Sequence, residues 1–129
     1  MSWGSEDSDA GSAVVEFVLV GALTTVLFAA VLQLALVLHV RSTLVDCAAE
    51  GARYGALADR SPADGADRAT ELITSALHPR YAADVRASST VLHGLDVVRV
   101  EVTAPLPVVG LLGPGGTMTV AGHALEELP

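Results

Sequence analysis

The chain contains no lysine, a single cysteine and few aromatic residues, 4% of its 129. Each shortage removes a class of function. All seven basic residues are arginines set against 15 acidic ones, for a net charge of −8. The arginines are spread singly, so there is no clustered patch to neutralise phosphates, and nucleic acid is excluded as a partner. The missing lysine reads as coding bias and not as a site. Cys47 has no second cysteine with which to close an internal disulfide, so it does not identify a compartment. It leaves two readings, an intermolecular bridge or a small buried side chain in a helix.

Chemistry is scarce for the same kind of reason. The histidines, at 39, 78, 93 and 123, lack the close spacing of a metal site. Cys47 and His39 stand eight residues apart, which on one helix is about 12 Å along the axis, too far for a thiolate and its base. Asp64 with Asp67, and Glu126 with Glu127, read as solvated charge. Neither a glycine loop for phosphates nor a nucleophile elbow nor a paired-histidine motif occurs. These absences argue against an enzyme, and no metal or cofactor is expected.

What the chain does have is one block of hydrophobicity. Phe17 to Leu38 is a 22-residue apolar run broken only by Thr24, Thr25 and Gln33. As an α-helix it extends about 33 Å, against roughly 30 Å for the hydrocarbon core of a bilayer. No polar face remains, as a water-soluble helix of this length would show. A buried core helix is the competing explanation, but a run of at least 18 apolar residues is better explained by lipid. A cleavable secretory signal is opposed by three features: Glu6, Asp7 and Asp9 precede the run with no basic residue, the run exceeds the usual ~7–15 residues, and no clear small-residue cleavage box follows.

Residues 1–11 are polar and acidic with nothing to bury, and are expected to be disordered or removed. Ser12 is a good N-cap, so the helix is expected to start there. That start places Glu16 in the first turn, where free amides and the positive dipole end favour an anion. The span is assigned to residues 12–40 and a helical extension to 41–58, together one helix of about 45 residues. In the extension Leu44, Cys47, Ala48, Gly51, Ala52 and Gly55 form a narrow face of small residues opposite Asp46, Glu50 and Arg53. Gly51-x-x-x-Gly55 permits close backbone approach, equally to the chain's own sheet or to another subunit.

Residues 59–129 make a small α+β domain. Ser61-Pro62-Ala63-Asp64 is a helix start, with Ser as N-cap, Pro in the first turn and an acid three residues on. Ala69, Leu72, Ile73, Ala76 and Leu77 follow at helical spacing, and Pro79 ends the segment. Beyond Tyr81 the period becomes two. Val85, Ala87, Ser89 and Val91 share one face, then Val98, Val100 and Val102, with His93-Gly94 as the turn of an antiparallel hairpin. Thr117 to Leu125 is a third strand, with Met118, Val120, Gly122 and Ala124 on one face. The intervening segment has too much Pro and Gly for a central strand. Its Leu106, Val108, Val109, Leu111 and Leu112 either fold over the sheet or form an exposed patch for membrane or partner. The fold class is therefore α+β: a long N-terminal membrane helix, a second short helix and roughly three antiparallel strands.

Two motifs carry a resemblance. Gly11 followed by Ser12-Ala13-Val14-Val15-Glu16-Phe17 looks like the processing signature of type IV pilin-like proteins, cut after a Gly, with Glu as the fifth mature residue. Together with Ala48-Ala49-Glu50-Gly51-Ala52-Arg53-Tyr54-Gly55 and the alternating segments after Val85, the chain resembles the TadE family of minor pseudopilins of the tight-adherence (Flp) pilus system. The resemblance implies a non-enzymatic assembly component, cleaved between Gly11 and Ser12 by a prepilin peptidase. Its partners would be membrane lipid, other pilin or pseudopilin subunits and the inner-membrane assembly platform. Glu16 and Phe17 would set subunit register, and Gly51, Ala52, Arg53 and Gly55 would serve helix packing.

The resemblance also implies a cytoplasmic N-terminus and an extracytoplasmic C-terminal domain. Arg41 and Arg53 after the span, with no basic residue before it, favour the reverse by the positive-inside rule; the reading follows the resemblance. For Glu16 two readings stand. It is a helix-start anion needing no partner, or, after cleavage, the partner of another subunit's Ser12 amine, since both charges are expensive to leave alone in lipid. An uncleaved single-pass protein with a partner-binding outer domain is the alternative from another class.

Overall fold

The apolar run is long enough to form a single helix, and here the helix continues far past both of its ends. The computed structural model describes residues 3–107 and 116–128, and helix α1 occupies Trp3–Gly55. The expected start at Ser12 is therefore displaced. Once nucleated, a helix gains one hydrogen bond for each further residue it fixes, so the backbone winds through the polar leader and Ser12 becomes an interior residue. At its other end α1 stops at Gly55, short of the expected boundary at 58.

The chain divides into two compact units, residues up to Ala35 and residues from Leu36 onward. In the first, every large apolar side chain from Val14 to Leu34 is 55–79% exposed. The helix is long and apolar enough to cross a membrane, with a mean hydropathy of 2.3 over its most apolar window. One of its few polar groups is handled locally: the Thr25 hydroxyl donates to the Gly21 carbonyl at 2.8 Å, which hides a hydroxyl against the helix's own backbone.

The second unit has the opposite burial. Helix α2, Pro62–Ala76, opens with the expected capping box: Ser61 Oγ accepts from the Asp64 amide at 3.3 Å, and Asp64 Oδ2 accepts from the Ser61 amide at 2.9 Å. Its buried residues, Gly65, Ala69 and Ile73, recur every four residues, the spacing of one helix face. A 3-10 turn, Pro79–Ala82, leads to the sheet and buries Tyr81.

Strands β1 (Val85–Leu92), β2 (Leu95–Pro105) and β3 (Thr117–Leu125) form one antiparallel sheet in the order β1-β2-β3. His93 and Gly94, with φ of 52° and 79°, make the two-residue turn between β1 and β2. Positive φ at both positions matches the twist of the flanking strands, and Gly supplies it without strain. The register sets Ala87 opposite Val100 and Val100 opposite Gly122, with Val85, Val102 and Val120 in the adjacent row. Val98, Val100 and Val102 are fully buried, and the same core contains Leu44, Ala48 and Ala52 of α1 with Ala69 and Ile73 of α2.

Alternation on β1 is only partly expressed. Val85 and Ala87 pack on the core, whereas Ser89 and Val91 of the same face are exposed, as befits the outer end of an edge strand. Of the apolar segment after β2, Leu106 is half-buried and packs on the core; Val108, Val109, Leu111 and Leu112 lie outside the described residues. The architecture is α+β.

Candidate functional site

Gly11, Ser12, Glu16 and Phe17 all belong to the first unit and lie on the exposed surface of α1. Ser12 and Glu16 are four residues apart, so they share one helix face about 6 Å apart along the axis. Phe17 is 79% exposed. A side chain placed at Gly11 would meet nothing within 4 Å among the described residues, so packing against them does not require glycine there. Because α1 begins at Trp3, Glu16 lies several turns in and the first-turn dipole argument fails for the uncut chain. Removing residues 1–11 would restore it.

The small-residue motif in the second unit has a definite neighbour. A Cβ on Gly51 would stand 2.6 Å from the Gly65 carbonyl oxygen and 2.8 Å from the Ala69 Cβ; one on Gly55 would stand 3.0 Å from the Gly65 Cα. Both glycines therefore meet the first turns of α2, and neither the sheet nor another subunit was needed to explain them. The sheet takes the next turn of α1 instead. A Cβ on Gly122 of β3 would fall 2.6 Å from the Ala48 carbonyl carbon and the Ala49 Cα. Gly51, Gly55, Gly65 and Gly122 thus let backbone meet backbone where any side chain would intervene. Ala52 is fully buried beside them. Arg53 is not in the seam: it is exposed and pairs with Glu50 at 3.1 Å, the geometry of an i,i+3 surface pair.

The sequence reading missed Gly65 and Gly122 as partners of this seam. Their signal was available, since Gly65 costs helix stability in a first turn and Gly122 weakens a strand, so each needs a packing reason. Cys47 is buried on the inner face of α1 and has no second cysteine among the described residues. Among those residues, too, no group of His, Cys, Asp or Glu is placed to hold a metal ion.

These observations define the class: a helix fit to span a bilayer, joined to a small α+β domain whose glycine seam serves packing. Residues 11–53 match the family model described as TadE-like protein, so this stretch, from Gly11 through Glu16 to Arg53, is TadE-like. No curated protein and no solved structure matches the chain. The family is associated with tight-adherence pili and is structural in character, so the match suggests a pilus-related component, and the long apolar helix suggests a single-pass membrane protein.

Proposed function

We propose that the protein is a minor pseudopilin of a tight-adherence pilus or a related secretion system, held by α1 in the inner membrane and cut between Gly11 and Ser12 by a prepilin peptidase. The observation that carries this reading is the TadE-like match that opens at Gly11 and contains Glu16. Glycine at 11 also fits a processing role. No contact among the described residues calls for it, and glycine lowers helix stability by about 1 kcal/mol relative to alanine, which eases the local opening a peptidase needs.

Cleavage creates an ammonium at Ser12, one helical turn before Glu16. Both charges then sit at the edge of an apolar surface that other subunits cover during assembly. Pairing the Glu16 carboxylate of one subunit with the Ser12 amine of another satisfies the two together and fixes their axial register. In this arrangement the domain after Leu38 lies outside the membrane, and partners are other pilin-like subunits and the assembly platform.

The test is an intact-mass and N-terminal measurement on protein from cells with an active prepilin peptidase. A mature chain beginning at Ser12 is expected. An uncut chain retaining Met1 overturns the processing step and leaves a single-pass membrane protein with a partner-binding domain. Glu16→Ala separates the register role: membrane insertion and cutting persist while incorporation into pili falls at least tenfold. Unchanged incorporation would remove the charge pairing from the reading.

A further inference from the structure

Outside α1, the large apolar side chains that stay exposed among the described residues are Leu57, Val91, Leu92, Leu95, Leu125 and Leu128. They are not scattered. Leu92 and Leu95 flank the β1–β2 turn and pair with each other, and Leu125 pairs with Val97 on the same strand as Leu95. The segment after β3 brings in the rest. The Glu126 amide donates to the Asp96 carbonyl at 3.0 Å and the Glu127 amide to the Ala56 carbonyl at 2.8 Å. The Ala58 amide donates to Glu127 Oε2 at 3.3 Å. These bonds place Leu57 and Leu128 at the same end of the sheet.

A groove of about 450 Å³ opens there, lined by Leu95, Leu125 and Leu128 and by the acids Asp96, Glu126 and Glu127. No arginine lines it. Exposed apolar side chains gathered at one end and rimmed by polar groups mark an interaction surface. The charge selects the occupant. A second copy seated face to face would oppose carboxylate to carboxylate, and an anionic lipid surface would be repelled in the same way. Arginine or lysine on an apolar partner segment would complement the rim.

We propose that this end of the sheet docks a basic, amphipathic polypeptide segment of a second protein, with the leucines receiving its apolar side chains and Asp96, Glu126 and Glu127 facing its cations. The surface belongs to the second unit alone, so it stands whether or not the chain is cut after Gly11.

The experiment installs a photo-crosslinking amino acid at this end in the full-length protein, Leu125→p-benzoylphenylalanine, and irradiates intact producing cells. Leu125 is 61% exposed, so the change does not disturb the core. The captured peptide is then sequenced by mass spectrometry. The expected adduct is a segment of another protein with more Arg and Lys than Asp and Glu and with apolar residues on one face. Asp96→Arg is expected to cut its yield at least tenfold, and Leu92→Ser with Leu95→Ser to do the same. Asp96→Asn is the milder substitute should the reversal impair folding. An adduct with a second copy of this chain, with phospholipid or with an acidic segment overturns the proposal. So does the absence of any adduct, or a yield that these substitutions leave unchanged.

Discussion

Helix α1 is one continuous element, yet its two stretches obey opposite rules. From Val14 to Leu34 its large apolar side chains point outward on every side and none is buried. From Leu44 to Gly55 it presents mostly small residues inward, with Leu44, Ala48 and Ala52 fully buried and Asp46, Glu50 and Arg53 outside. Secondary structure is therefore not what distinguishes a membrane stretch from a packing stretch. Side-chain size and the width of the apolar face decide it: a fully apolar circumference is stable only where the solvent is lipid, and a narrow strip of Gly and Ala is useful only where another backbone can approach within contact distance.

The sharpest way to break the packing half of this comparison is Gly122→Val. Its Cβ would meet the backbone of Ala48 and Ala49, which cannot rotate aside as a side chain could. Overpacking against fixed backbone belongs at the top of the usual range, so a loss of about 3 kcal/mol or more is expected. Denaturant unfolding of the full chain in detergent micelles measures it, with alkylation of Cys47, 8% exposed in the fold, as the reporter. Wild-type stability in the variant would mean that strand β3 does not lie on α1.

Next in size is Leu27→Arg, which probes the other half. In the middle of a bilayer-spanning helix an arginine raises the apparent insertion free energy by about 3 kcal/mol. The expected result is a several-fold loss of carbonate-resistant membrane protein, with no loss for Leu27→Ala. An equal membrane fraction for Leu27→Arg would remove lipid as the explanation for the exposed circumference.

How much of this was legible follows from which interactions are local. Ser61, Pro62 and Asp64 specify the start of α2 among themselves, within one turn, and His93-Gly94 specifies a two-residue hairpin by backbone conformation alone. The inward valines 98, 100 and 102 are likewise readable from period two, with Val97 the exception, since it belongs to the other face and is buried as well. The glycine motif at 51 and 55 announced a close approach without saying of what, since its partners Gly65 and Gly122 are local anomalies that only tertiary contact explains. The start of α1 at Trp3 escaped composition altogether. A polar leader reads as unstructured by itself, and helix propagation from the neighbouring apolar run is what extends the helix through it. Leu92, Leu95 and Leu125 alternate with the inward residues and so belong to the opposite face of the sheet; alternation accounts for their exposure but not for their gathering at one end, which the hairpin register and the segment after β3 bring about.

The smallest expected effect tests whether the second unit depends on local caps as well as on its seam. Ser61→Ala removes the hydroxyl that accepts from the Asp64 amide, and loss of such an N-cap costs about 1 kcal/mol. A surface change of similar visibility, Arg53→Ala, removes an exposed ion pair and is expected to stay within about 0.5 kcal/mol of wild type. The cap also carries a pH signature. Hydrogen bonds from the Ser61 backbone amide, and then from its hydroxyl, hold the Asp64 carboxyl below its ordinary value of 3.8. A carboxylate whose folded value is depressed stabilises the fold at pH values above 3.8 and loses that contribution as the pH falls through the lowered value. Wild type and Asp64→Asn should therefore differ at pH 7 and converge in strong acid, when thermal unfolding is followed by circular dichroism across that range. Removing one of the two hydrogen-bond donors in Ser61→Ala should shift the convergence upward, toward pH 3.8. A difference between wild type and Asp64→Asn that is independent of pH would show that Asp64 acts through shape alone, and that the seam, without charge at the cap, is enough to seat α2.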